Sequence, residues 1–213
     1  MSTKLRTYGV LFYLDRQETM IMTDEIFKNF PAQFAAIDQA TKDAGFTMPS
    51  EAKTGALLSM LAGTKPSSSM LELGTGTGLS AAWILEGMDD RSTLTSVDYD
   101  PTFLNIARQY LVDPRLSLIQ QDAGEWIQEN RKLKFDFIFA DTWHGKYLML
   151  EEVLDMLKPG GLYIIDDLLP QANWPDGHQE KALALVEVLE SRADLNMVKL
   201  AWATGIIISS KKV

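Results

Sequence analysis

A chain of 213 residues with 46% hydrophobic and 23% charged residues is long enough for one layered core and has the make-up of a soluble globular protein, which leaves out disordered and fibrous classes. Its formal net charge of −9 provides no basic stripe for a phosphate backbone, so nucleic acid is not an expected partner. The lack of cysteine removes disulfides, thiolate nucleophiles and thiolate zinc sites.

Residues 1–20 carry no firm periodicity. Tyr8–Leu14 is apolar but runs at once into Asp15 and Arg16. That suits neither a secretion signal nor a span of about 20 apolar residues, so no membrane partner and a cytoplasmic location are expected. Helical patterning starts at Thr23-Asp24-Glu25 and continues through Ile26, Phe27, Phe30, Phe34, Ile37 and Ala40 to Gly45, with Pro31 placed to divide it. Pro49-Ser50-Glu51 opens a second helix, Gly55 to Leu61, whose stripe Ala56, Leu57, Met60 and Leu61 is expected to face inward. These segments form an N-terminal helical cap over residues 1–62 that could cover a site.

From Ser69 the pattern alternates strand and helix, as a parallel sheet covered on both faces requires. The expected strands are Met70–Leu73, Thr93–Val97, Leu116–Gln120, Phe135–Ala140 and Leu162–Ile165. Asp100 as N-cap with Pro101 behind it marks one helix start, and Lys158-Pro159-Gly160-Gly161 reads as the turn before the fifth strand. Met197–Ala203 and Gly205–Ser209 read as an antiparallel hairpin that finishes the sheet. The expected fold is α/β, a Rossmann-like three-layer sandwich with a mostly parallel seven-stranded sheet. A single domain over residues 1–213 is expected, with its cofactor-binding core at 69–213.

The stretch Met70–Ser80, MLELGTGTGLS, is a strand, a tight glycine turn and a helix start. Gly74, Gly76 and Gly78 give GxGxG, and Leu79 stands where a dinucleotide fingerprint needs its last glycine. An NAD-dependent oxidoreductase is therefore disfavoured. With Glu72 already on the strand, the turn Gly74-Thr75-Gly76 suits an adenosine ligand that carries positive charge and no phosphate, and S-adenosylmethionine is such a ligand. Asp98, some two dozen residues on, is positioned for ribose hydroxyls, and Asp122 for the adenine edge. Asp141, Asp166 and Asp167 close further strand ends, where ligands of open parallel sheets bind. Trp143 could stack on a ring or simply pack. Trp83 and Trp126 read as core, and Trp174 and Trp202 have no evident place.

Taken together, MLELGTGTGLS, SVDYDP, QDA, FIFADTWHGKY, LKPGG and IIDD resemble the class I S-adenosylmethionine-dependent methyltransferases, and within them the O-methyltransferases related to catechol and caffeoyl-CoA O-methyltransferase. The resemblance runs from about Pro49 to the C-terminus. It implies cofactor contacts from Glu72, Gly74, Ser80, Asp98, Tyr99, Ala123, Asp141 and Trp143. It also implies a divalent cation, Mg²⁺ or Ca²⁺, on Asp141, Asp166 and Asp167, although the family has Asn where Asp167 stands. Its usual catalytic lysine is replaced by His144, the expected general base because histidine as a residue type titrates near neutral pH; Lys146 or water is the alternative.

The expected function is methyl transfer from S-adenosylmethionine to a hydroxyl of a small catechol-like or phenolic acceptor, assisted by the cation. A metal-independent enzyme acting on nitrogen or another acceptor is the rival. Residues 1–48 are left to shape the acceptor pocket or a homodimer contact.

Overall fold

Short apolar runs separated by amphipathic segments lead the chain to alternate between sheet and helix. The structure is a computed structural model that describes residues 30–171 and 174–213. In chain order it runs α1 (Phe34–Asp43), α2 (Ala52–Gly63), β1 (Ser69–Leu73), α3 (Leu79–Gly87), β2 (Thr93–Asp98), α4 (Pro101–Tyr110) and β3 (Leu116–Gln120). Then follow α5 (Ala123–Asn130), β4 (Phe135–Ala140), α6 (Leu150–Met156), β5 (Leu157–Ile165), α7 (His178–Glu190), β6 (Leu195–Leu200) and β7 (Ile206–Lys211).

The seven strands form one sheet in the order β3-β2-β1-β4-β5-β7-β6. β1 to β5 pair in parallel, and β7 inserts antiparallel between β5 and β6. Strand order reverses between β1 and β4, the crevice where an open sheet of this kind receives a ligand. Register brings the strand ends level there: Leu73 pairs with Val97 on one side and Ala140 on the other, and Ala140 with Ile165. Gly74, Asp98, Asp141 and Asp166 therefore leave the sheet along one edge.

Strand alternation divides the core into two layers. Leu71, Leu73, Ile138, Ala140, Tyr163 and Ile165 pack with α5, α6 and α7, while Met70, Leu94, Phe137, Phe139 and Ile164 pack with α1 to α4. Trp83 and Trp126 are both buried in helices, as expected. The Asp100 carboxylate accepts the Thr102 N–H at 2.8 Å with Pro101 in the first turn, which bears out that helix start.

Two expectations are corrected. On α2 Leu57 and Leu61 pack against the core as expected, but the fully buried residues are Thr54, Gly55, Leu58 and Ala62, and Met60 is 56% exposed. The reason is close packing on α3, since a Cβ on Gly55 would lie 2.1 Å from the Trp83 ring. Second, Lys158–Gly161 is not a turn ahead of the strand. It lies within β5 as an irregularity where pairing steps from Phe135–Leu157 to Phe137–Leu162. Of the helical pattern expected from Thr23 to Gly45 and divided at Pro31, the part beyond Pro31 is α1 from Phe34, which ends before Gly45 at φ +67°; residues 23–29 of that pattern lie outside the described residues. Trp202 is now placed, its Nε1 donating to the Lys53 carbonyl at 2.9 Å, which ties the end of the sheet to α2. Among the described residues no helix is long and apolar enough to cross a membrane.

Candidate active site

The glycine turn is held from both sides. Gly74 N–H donates to the Val97 carbonyl at 2.9 Å, and Gly76 N–H donates to Asp98 Oδ2 at 2.7 Å. Asp98 Oδ1 accepts the Asp100 N–H at 2.9 Å, so this carboxylate ties the turn to the start of α4. Gly74 sits at φ +99°, and a Cβ there would stand 2.5 Å from the Asp141 carbonyl oxygen, so only glycine lets the two strand ends close together.

A cavity of about 330 Å³ opens above this turn. Its wall includes Gly74, Thr75, Gly76, Ser80, Asp98, Tyr99, Asp122, Ala123, Asp141 and Trp143. Glu72 and Gly78, also expected at the cofactor, are not in that wall. Alternation turns Glu72 towards α3, fully buried, where its carboxyl accepts from Ser96 and Ser80 beneath the turn. Ser96 in turn meets Thr75 at 2.5 Å between hydroxyl oxygens. Burial raises the Glu72 pKa to about 7, opposed by the hydrogen bonds from Ser80 and Ser96, and its Oε1 lacks a partner among the described residues. Gly78, at φ +93°, lets α3 approach Ala107 and Leu111 of α4.

The sequence reading missed a whole side of the wall, formed by Phe46, Met48, Pro49 and Ser50 from the α1–α2 loop and Phe103 from α4. The Phe46 and Phe103 rings lie 4.4 Å apart, and Ser50 Oγ donates to Asp141 Oδ2 at 3.0 Å. The Pro-Ser-Glu helix signal pointed at this loop but not at what it would face.

At the end of the cavity beyond β3, Asp122 caps α5 through Oδ1, accepting from Gly124 N–H at 2.8 Å and Glu125 N–H at 3.1 Å. His144, expected as the general base, stands here instead. Its Nδ1 is 4.0 Å from Asp122 Oδ2, and its ring lies over Gly124. The loop doubles back on itself, with Tyr147 N–H on the Trp143 carbonyl at 2.9 Å, and this sends Lys146 rather than His144 to the other end of the site.

That other end is charged. Asp141, Asp166 and Asp167 each present a carboxylate oxygen within 4.8 Å of the others. Lys146, 4% exposed, has its Nζ at 3.4 Å from Asp166 Oδ1 and 3.7 Å from Asp141 Oδ1. Burial, and then the Asp166 charge, raise the Asp141 pKa well above the carboxylate range; burial likewise raises that of Asp166. For Lys146, burial works against the charge, but the carboxylates of Asp166 and Asp141 overcome it and shift its pKa upward. Asp167 occupies the left-handed region at φ +55°, a conformation that Asp tolerates better than most residues, and its N–H donates to Thr204 Oγ1 at 3.3 Å. The donor set suits a hard divalent cation: when all three are ionised, as a bound cation would favour, the carboxylates set against one ammonium leave two negative charges.

Beside the acidic end lies an aromatic group. Tyr147 Oη and His178 Nε2 are 3.1 Å apart, and the His178 ring lies 5.8 Å from Trp143 and 4.4 Å from Trp174. Lys181 Nζ stands 4.4 Å from the centre of the Trp143 ring.

A family model for a methyltransferase domain matches residues 71–168, from within β1 to just past Asp167. The chain is 30% identical over 158 residues to a Mycobacterium avium protein assigned as an O-methyltransferase, a match covering 70% of each. It is 35% identical over 117 residues to one from Mycobacterium tuberculosis, covering 52% of each. Among solved structures, the O-methyltransferase from Bacillus cereus in complex with SAH superposes with a TM-score of 0.77 at 18% identity, over 89% of this chain and 94% of that one. A Staphylococcus aureus protein assigned as a caffeoyl-CoA O-methyltransferase gives 0.69 at 18% identity, over 84% and 91%. At such identities the solved structures establish the fold, and the mycobacterial match carries the kinship: this chain belongs to the class I S-adenosylmethionine-dependent O-methyltransferases.

Proposed function

We propose that the protein transfers the methyl group of S-adenosylmethionine to a hydroxyl of a small aromatic acceptor, catechol-like or otherwise phenolic. One observation carries the reading: Asp141 belongs both to the cavity wall and to the charged cluster, so methyl donor and acceptor meet at this residue. The Gly74–Gly76 turn, Asp98, Asp122, Ala123 and His144 would hold the cofactor, with the Asp98 carboxylate suited to ribose hydroxyls. The acceptor oxygen attacks the methyl carbon in line, the C–S electron pair returns to sulfur, and the hydroxyl proton leaves to water. The sulfonium is already a good leaving group, so the protein orients the reactants and eases that proton loss.

Lys146 supports the second task. Its ammonium, held by Asp166 and Asp141, favours the ionised form of a hydroxyl brought beside it. Asp141, Asp166 and Asp167 would hold a divalent cation, which when bound supplies a Lewis acid for the acceptor oxygens. A metal-independent reaction is the second reading, favoured by the presence of Lys146 among the carboxylates.

Mass spectrometry of reactions with S-adenosylmethionine and a panel of catechols and phenols should detect methyl ethers. A panel without product sinks the proposal. Mn²⁺ titration read by electron paramagnetic resonance tests the cation directly, and binding should weaken at least tenfold in D166N. Full activity in EDTA together with no Mn²⁺ binding would favour the second reading.

A further inference from the structure

Resting on the proposal that the acceptor is a hydroxylated ring, we infer that Lys181 and the aromatic group around Trp143 form its recognition subsite, and that the preferred ring carries a carboxylate. Trp143 lines the cofactor cavity and is 41% exposed, so it offers surface to a second ligand. Tyr147, His178 and Trp174 continue the aromatic surface from it. The charges of Lys146 and Asp167 reach both Tyr147 and His178, which sets this group beside the acidic end of the site rather than the Asp122 end.

Two features leave the subsite unfinished. Lys181 is held over the indole but makes no ion pair with a carboxylate among the described residues, although acidic side chains outnumber basic ones 29 to 20. His178 Nδ1 is buried with no partner among those residues, while Nε2 is engaged by Tyr147. An aromatic acid supplies what both lack: a flat ring to stack on the indole, an anion for the ammonium, and a polar group within reach of the imidazole. Trp143 joins donor and acceptor, and Lys181 selects the charge.

The test compares 3,4-dihydroxybenzoate with its neutral amide, 3,4-dihydroxybenzamide, using the full chain and S-adenosylmethionine. The wild type should favour the acid at least tenfold in kcat/KM, mostly through KM. K181M should bring the ratio within twofold of unity, and K181R should restore it. Equal KM values for the two acceptors in the wild type, or a ratio that K181M leaves unchanged, would overturn the inference. Tryptophan-fluorescence titration of both compounds in the presence of S-adenosylhomocysteine reads recognition without turnover. Preferential, Lys181-dependent binding of the acid with no methyl ether formed would uphold the subsite and sink the proposed acceptor class. Product from both compounds at equal KM would do the reverse.

Discussion

Glu72 shows how a single buried carboxyl links the cofactor turn to pH. Its pKa stands at about 7, raised by burial against the hydrogen bonds of Ser80 and Ser96. The unfolded chain releases this proton near the ordinary value of 4.5, whereas the folded chain holds it until about 7. The contribution to stability is therefore full below pH 4.5, declines as pH rises to about 7, and is flat above that. The loss amounts to about 3 kcal/mol at 1.36 kcal/mol per pKa unit. E72Q cannot ionise, so urea denaturation at pH 5 and pH 8 should find the variant gaining on the wild type by about that much at the higher pH. A difference that does not change with pH would mean the carboxyl is not held neutral.

A second comparison at this scale separates Lys146, whose ammonium eases proton loss, from His144, the base expected from the sequence. K146M should lower kcat at least a hundredfold, whereas H144A should chiefly raise the KM for S-adenosylmethionine, because His144 lies against Asp122 and Gly124. A large kcat defect in H144A alone would return the proton to the imidazole. The position three residues after Asp141 was legible as a departure from the family pattern. Where each side chain would go was not, because it depends on how the Trp143–Leu148 loop doubles back through its own backbone hydrogen bonds. Glu72 lies outside the cavity wall for a related reason. Residue type suggested a cofactor contact, while the two-residue alternation of β1 turned the carboxyl to the helix side of the sheet.

Among the elements, the five parallel strands and the final hairpin could be read from periodicity, because strands buried on both faces are marked by continuous apolar runs. α2 could not be phased so readily. Both of its apolar rows, Leu57 with Leu61 and Leu58 with Ala62, pack on the core, and which row lies deeper rests on Gly55 meeting Trp83 from another helix. G55A should therefore cost about 1–3 kcal/mol from overpacking, seen as a Tm lowered by several degrees. An unchanged Tm would show that α2 and α3 separate without penalty. The α1–α2 loop acts on the ligand instead. Removing the Phe46 ring from Phe103 should weaken cofactor binding by about 1 kcal/mol, measurable by calorimetry as a severalfold rise in Kd for F46A.

For the whole molecule, the level strand ends gather negative charge along one edge of the sheet while both faces stay apolar. The cavity there suits a ligand without pyrophosphate, and Leu79, 4% exposed, packs where a dinucleotide site would need glycine. S-adenosylhomocysteine at a hundred times its Kd should stabilise the fold by about 2.7 kcal/mol, raising Tm by several degrees, and NAD at the same concentration should leave it unmoved. A shift with NAD and none with S-adenosylhomocysteine would contradict the reading of the turn.

The contact between Gly74 and the Asp141 carbonyl also bears on how such an enzyme can change over time. On the proposed reading, the alignment of methyl donor with acceptor is set where β1 and β4 meet at Gly74 and Asp141, while Trp174, His178 and Lys181 come from a separate stretch beyond β5. Exchanging that stretch can retune which ring is welcomed without disturbing the line of attack, so the catalytic frame and the choice of substrate are free to evolve apart.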